Sequence, residues 1–158
     1  MSQVIFHLAV YIVCAAVLAV IFALFEIQIE GKDGWAAKLP CWRKESGMLV
    51  KLSGGRPITG YHIVMIIFVI VMFHFPFLFA EWTLATEFLI LGLMFETFLL
   101  EDFFWFVFNP NFGIKRFKKG EIWWHTQWWG PVPSLYYYMV ATSVLLIVLS
   151  QLVDGKGV

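Results

Sequence analysis

The chain has 158 residues and balances 11 basic against 11 acidic side chains, so its formal net charge is zero; 61% of it is apolar and only 14% charged. A soluble domain is nearer 45–50% apolar and about 25% charged, so a soluble enzyme, a disordered tail and a nucleic-acid binder all fit poorly. Zero net charge offers no bulk attraction to nucleic acid.

The first apolar run covers residues 4–25, with His7 its one polar exception. It carries Ala15, Ala19 and Ala23 at four-residue spacing, a pattern that lets helices approach closely where lipid removes the hydrophobic term. The run lacks a basic leader, and Glu26-Ile27-Gln28-Ile29-Glu30 follows it instead of a small-residue cleavage site, so it reads as a helix that stays. Residues 26–60 form a charged loop holding Lys32, Lys38, Arg43, Lys44, Lys51 and Arg56, punctuated by glycines and prolines.

A second apolar run, 63–80, carries His74, and a short turn around Glu81-Trp82 leads to the third run, 84–108. The third run bears Glu87, Glu96, Glu101 and Asp102. A second long loop, 109–134, opens on the turn signal Asn109-Pro110. The fourth run covers 135–153 behind Tyr136, Tyr137 and Tyr138. These tyrosines and Trp123, Trp124, Trp128 and Trp129 read as an interfacial belt, with 121–129 as a short helix in the membrane plane.

Each run is about long enough to cross a hydrocarbon core. Backbone polar groups in lipid must satisfy one another, which makes these segments helices. The expected fold is an all-α integral membrane protein: a single domain, 1–158, of four transmembrane helices with a cap of two cytoplasmic loops. Ten of the eleven basic residues fall in the two long loops, with Lys156 alone in the tail. The loops therefore face the cytoplasm and both termini lie outside, in a plasma or inner membrane.

The chemistry lies in polar side chains at membrane depth, where an ionisable group costs roughly 2.5–3.5 kcal/mol on insertion scales. At 100° per residue, Glu87, Glu101 and Asp102 share one face of the third helix and Glu96 lies opposite. Two constellations follow from counting depth along the helices. On the outer side His7, His74 and Glu87 fall at one level and form a candidate set of transition-metal ligands. The competing expectation is a buried hydrogen-bonded pair, such as His74 with Glu87 or Glu96. A haem held between His7 and His74 is also geometrically allowed.

On the inner side His62, Glu101, Asp102 and His125 form a candidate catalytic cluster. Adjacent carboxylates do not easily both ionise away from water. The competing expectation pairs the two acids with Arg56, Lys115 or Arg116 as loop anchors. Cys14 and Cys41 lie at different depths and predict no disulfide. Four histidines are too few for a histidine-box oxygenase, and no phosphate-binding loop, dinucleotide fingerprint, GxSxG or HExxH motif is present.

The leading expectation is an intramembrane acid/base or metal-dependent enzyme acting on a lipid or other hydrophobic substrate. A non-catalytic subunit of a larger membrane complex, or a homo-oligomer, is the second. A proton or ion pathway through Glu87, Glu96 and Asp102 is the third. The bilayer is the one partner common to all three.

Overall fold

The computed structural model describes residues 2–154, which leaves Lys156 outside it. Four long helices make up the frame: α1 (Ser2–Glu30), α3 (Gly60–His74), α4 (Leu84–Phe108) and α5 (Ser134–Asp154), with a one-turn helix α2 (Met48–Leu52) in the first loop. Three segments are long and apolar enough to cross a membrane: Ile5–Glu30, Gly60–Leu78 and Ser134–Asp154. α4 is as long as a span, at 25 residues, but its four carboxylates set it apart. It is also the central helix, packed along both α1 and α5.

Local chemistry explains the boundaries. Thr59 caps α3 by accepting from the His62 amide, and Thr83 caps α4 by accepting from the Thr86 amide. Such caps satisfy amides that the first turn leaves without partners. α3 tightens into a 3-10 turn over Phe75–Leu78, where Pro76 removes a donor. Asn109 ends α4. Its side chain accepts from the amides of Asn111 and Phe112 at 3.0 and 3.2 Å.

The helix boundaries correct the expectation at one place that matters. α1 does not stop at residue 25; it runs a further five residues and carries Glu26 and Glu30 as helical side chains. Both carboxylates turn inward, Glu26 being buried. The segment 121–129 is not a helix in the membrane plane. It forms turns and a two-residue strand, β3 (Trp128–Trp129), paired antiparallel with β4 (Val132–Pro133). In the first loop β1 (Arg43–Lys44) pairs with β2 (Ile58–Thr59).

The packing follows the small residues. Ala15, Ala19 and Ala23 are buried on α1, on the helix that packs against α4. Gly92 lets α4 and α5 meet: a Cβ there would lie 2.8 Å from Ile147 Cγ1 and 3.1 Å from the Ser143 carbonyl oxygen. α3 touches α4 only lightly.

The two loops fold over the shared end of the helices as a cap with an aromatic core. Trp105 and Phe106 of α4, Phe112 and Trp124 pack with Ala23 and Ile27 of α1. Phe106 is fully buried and stacks on Trp124 at 5.9 Å. Trp123 and Trp129 stay exposed, so the tryptophan cluster divides between core and surface. Gly34 is required where the loops meet. Its φ is +62°, and a Cβ would lie 2.4 Å from the Trp124 ring.

Candidate functional site

The polar side chains collect under the cap. α1 supplies Glu26 and Glu30, α3 supplies Tyr61 and His62, α4 supplies Glu101 and Asp102, and α5 supplies Tyr136. The second loop adds His125. Each helix is otherwise apolar here, so these groups have mainly one another as partners.

Asp102 and His125 are brought together. His125 Nε2 lies 3.0 Å from Asp102 Oδ2, and the Tyr136 hydroxyl donates to the same oxygen. The imidazole is enclosed: its side chain is 2% exposed. A carboxylate that accepts from Nε2–H leaves the lone pair on Nδ1. No side chain among the described residues hydrogen-bonds that nitrogen. The Trp128 indole donates to the His125 carbonyl at 2.7 Å and the His125 amide donates to Ile122, which fix the backbone.

His62 is turned elsewhere. Its Nδ1 lies 2.7 Å from Thr59 Oγ1 and its Nε2 lies 3.7 Å from Glu30 Oε1. Its ring stacks on Trp35, centroids 4.1 Å apart. Glu30 also accepts from the amides of Ala36 and Trp35. That contact depends on an unusual turn: Gly34, Trp35 and Ala36 all take the left-handed conformation, with φ of 62°, 49° and 49°. For Trp35 and Ala36 this is a costly backbone. It aims successive N–H groups at one carboxylate.

Glu101 meets Glu26, not a base. The two carboxyls face each other, and Tyr61 donates to Glu26 at 3.1 Å. Glu101 Oε1 is buried and no donor reaches it. Thr97 Oγ1 and Trp105 Nε1 are buried without partners too. These three residues are spaced i, i+4, i+8 on α4 and so share one face.

The expected anchoring of the two acids by basic loop residues is not what the structure shows. Arg116 pairs with Glu121 at 3.3 Å, and Lys115 makes no ion pair among the described residues. Arg56 lies over the Trp35 ring at 4.6 Å and donates to the Ser53 carbonyl at 2.9 Å. Burial draws its guanidinium below the ordinary pKa while the charge of Asp102 opposes the shift; the group keeps its charge at neutral pH.

Arg56, Lys51 and His125 line a common open cavity of about 190 Å³ together with Ser134 and Gln127. Neither cation has a carboxylate partner within ion-pair distance among the described residues. The cavity can therefore take an anionic group beside the imidazole.

At the other end of the helices His74 and Glu87 meet, Nε2 to Oε1 3.1 Å, and Trp82 donates to Glu87 at 2.9 Å. His7 is exposed and does not join them. It lies about 120° around α1 from the centre of the alanine face at Ala19, so a shared depth does not bring it to α3. Among the described residues no three His, Cys, Asp or Glu side chains gather as a metal-ligand set. The geometry thus favours the hydrogen-bonded pair over three metal ligands at this end.

Sequence reasoning missed Glu26, Glu30 and Tyr136. The signal was present: Glu26 and Glu30 continue the alanine face of α1, about 60° and 20° from Ala23. No family model, no curated protein and no solved structure matches the chain.

Proposed function

We propose that the chain is an integral membrane enzyme of four spanning helices that performs acid/base chemistry on a lipid with an anionic headgroup, at the cytoplasmic surface. One observation carries this reading: His125, oriented by Asp102, lines one cavity with Arg56 and Lys51. In this reading the two cations hold the headgroup phosphate, and His125 Nδ1 takes a proton from a water that attacks the phosphoester, then returns it to the alcohol whose P–O bond breaks. Asp102 fixes the tautomer and stabilises the imidazolium that forms, while Tyr136 holds Asp102 in place. The concentration of basic residues in the cap loops supports a cytoplasmic placement.

The test is headgroup conversion. Purified protein in vesicles of phosphatidylglycerol, phosphatidic acid and phosphatidylethanolamine is incubated, and products are read by mass spectrometry. Conversion of an anionic lipid is expected, with a loss of about 10²-fold or more in His125→Gln. No conversion of any of them, or equal conversion by His125→Gln, overturns the reading and promotes the non-catalytic subunit. Orientation is tested separately with single cysteines. One replacing Trp82 should react with an impermeant reagent from outside, and one replacing Lys118 should not.

A further inference from the structure

A second cavity lies away from His125. An open crevice of about 1190 Å³ lies between α1 and α3. Phe22 and Phe25 wall it from α1, and Met65 and Phe68 from α3. It exists because α3 packs so thinly on the other helices.

Three features of the crevice define what it holds. Its α3 wall runs from Gly60 to Phe73, a rise of about 20 Å. One leaflet of a hydrocarbon core about 30 Å thick is roughly 15 Å deep, so the crevice is as deep as a leaflet. Its walls are apolar along that depth. The cap end is different: there Tyr61 lines it, with its hydroxyl on Glu26. Thr97 lines it as well, and the Thr97 Oγ1 is buried with no partner. A native buried hydroxyl without a partner calls for a missing one.

We propose that this crevice seats one acyl chain of a lipid from the cap-side leaflet, with the chain's oxygen-bearing end toward Tyr61 and Thr97. An apolar slot of this size forfeits dispersion contacts when nothing fills it, and a chain fills it without exposing a polar backbone. The inference rests on the reading of the cap as a lipid enzyme and gives that lipid's chain a place. Glu26 and Glu101 stand between Tyr61 and the Asp102–His125 pair, so chain and headgroup flank the same buried carboxyls.

The test uses full-length protein in phosphatidylglycerol vesicles carrying a phosphatidylglycerol with a diazirine in its acyl chain. After irradiation, adducts are mapped by peptide and competed with unlabelled lipid. Saturable adducts on residues 18–25 and 61–73 are expected. Met65→Trp, which fills the crevice, should weaken that labelling about tenfold, since displacing even two methylenes forfeits that much. Val148→Trp, on the exposed face of α5, should leave it unchanged, and Phe68→Ala checks that crevice substitutions do not act by unfolding. His125→Gln should label as the parent does. Labelling spread evenly over all apolar faces, or unaffected by Met65→Trp, overturns the proposal. Saturable labelling without any headgroup conversion removes the enzyme and keeps the chain seat.

Discussion

The two ends of the helices each hold an imidazole–carboxylate pair of nearly the same length: His74–Glu87 at 3.1 Å and His125–Asp102 at 3.0 Å. Their surroundings differ completely. The His74 side chain is 28% exposed beside a short turn, whereas that of His125 is 2% exposed beneath two loops. Around His74 there is one further polar donor, the Trp82 indole. Around His125 there are a second donor to the same carboxylate, an aromatic floor and an anion-sized cavity with two cations. The same contact thus has two roles. In water it ties a turn at little gain; enclosed, it fixes a tautomer and costs a great deal to break.

The widest separation is expected from the carboxylates. Asp102→Ala leaves His125 and Tyr136 facing an empty acceptor and should cost about 3–5 kcal/mol, read as a large fall in thermal midpoint in detergent. His125→Gln should keep the fold and lose about 10²–10⁴ in turnover, so its melting curve and its rate part company. Aromatic truncation sharpens the contrast next. Phe106→Ala in the cap should cost about 3–5 kcal/mol, while Phe79→Ala at the exposed end should stay within about 0.5 kcal/mol. Ala19→Leu, at the α1–α4 contact, should cost about 1–3 kcal/mol by overpacking; an unchanged midpoint would mean that face is free. The smallest effect belongs to His74→Gln, within about 1 kcal/mol and with no change in turnover. A loss of turnover there would collapse the distinction between the two ends.

Much of the frame is legible in the residues. The bounds of α4 follow from a mainly apolar run between Thr83, a good cap, and Asn109-Pro110, a good stop. The close face of α1 follows from alanine spacing. The end of α1 does not, because a hydropathy reading treats Glu26 and Glu30 as solvent-facing and here they turn toward α4 and the loops. That at least one of Glu101 and Asp102 turns inward follows from depth, but depth admits His62 and His125 alike as its partner. The partner of His62 does not follow from depth: it depends on Glu30, which the left-handed turn at Gly34–Ala36 holds. His7 shows the limit of depth counting, which fixes level but not direction around a helix.

The cap is stitched across long stretches of chain. Asn109 Nδ2 donates to the Gly31 carbonyl, 78 residues earlier, and Thr126 Oγ1 to that of Gly54, 72 residues earlier. Synthesis at 5–20 residues per second puts roughly 4–15 s between the two sides of each stitch. For most of that interval Glu26 and Glu30 have left the ribosome and Glu101, His125 and Tyr136 have not. The cap end of α1 must wait, its acids in contact with water, until the second loop arrives. Closure of the cap is therefore a late step in biogenesis, and a chain arrested before Thr126 would display an open acidic end, which a membrane quality-control protease could recognise.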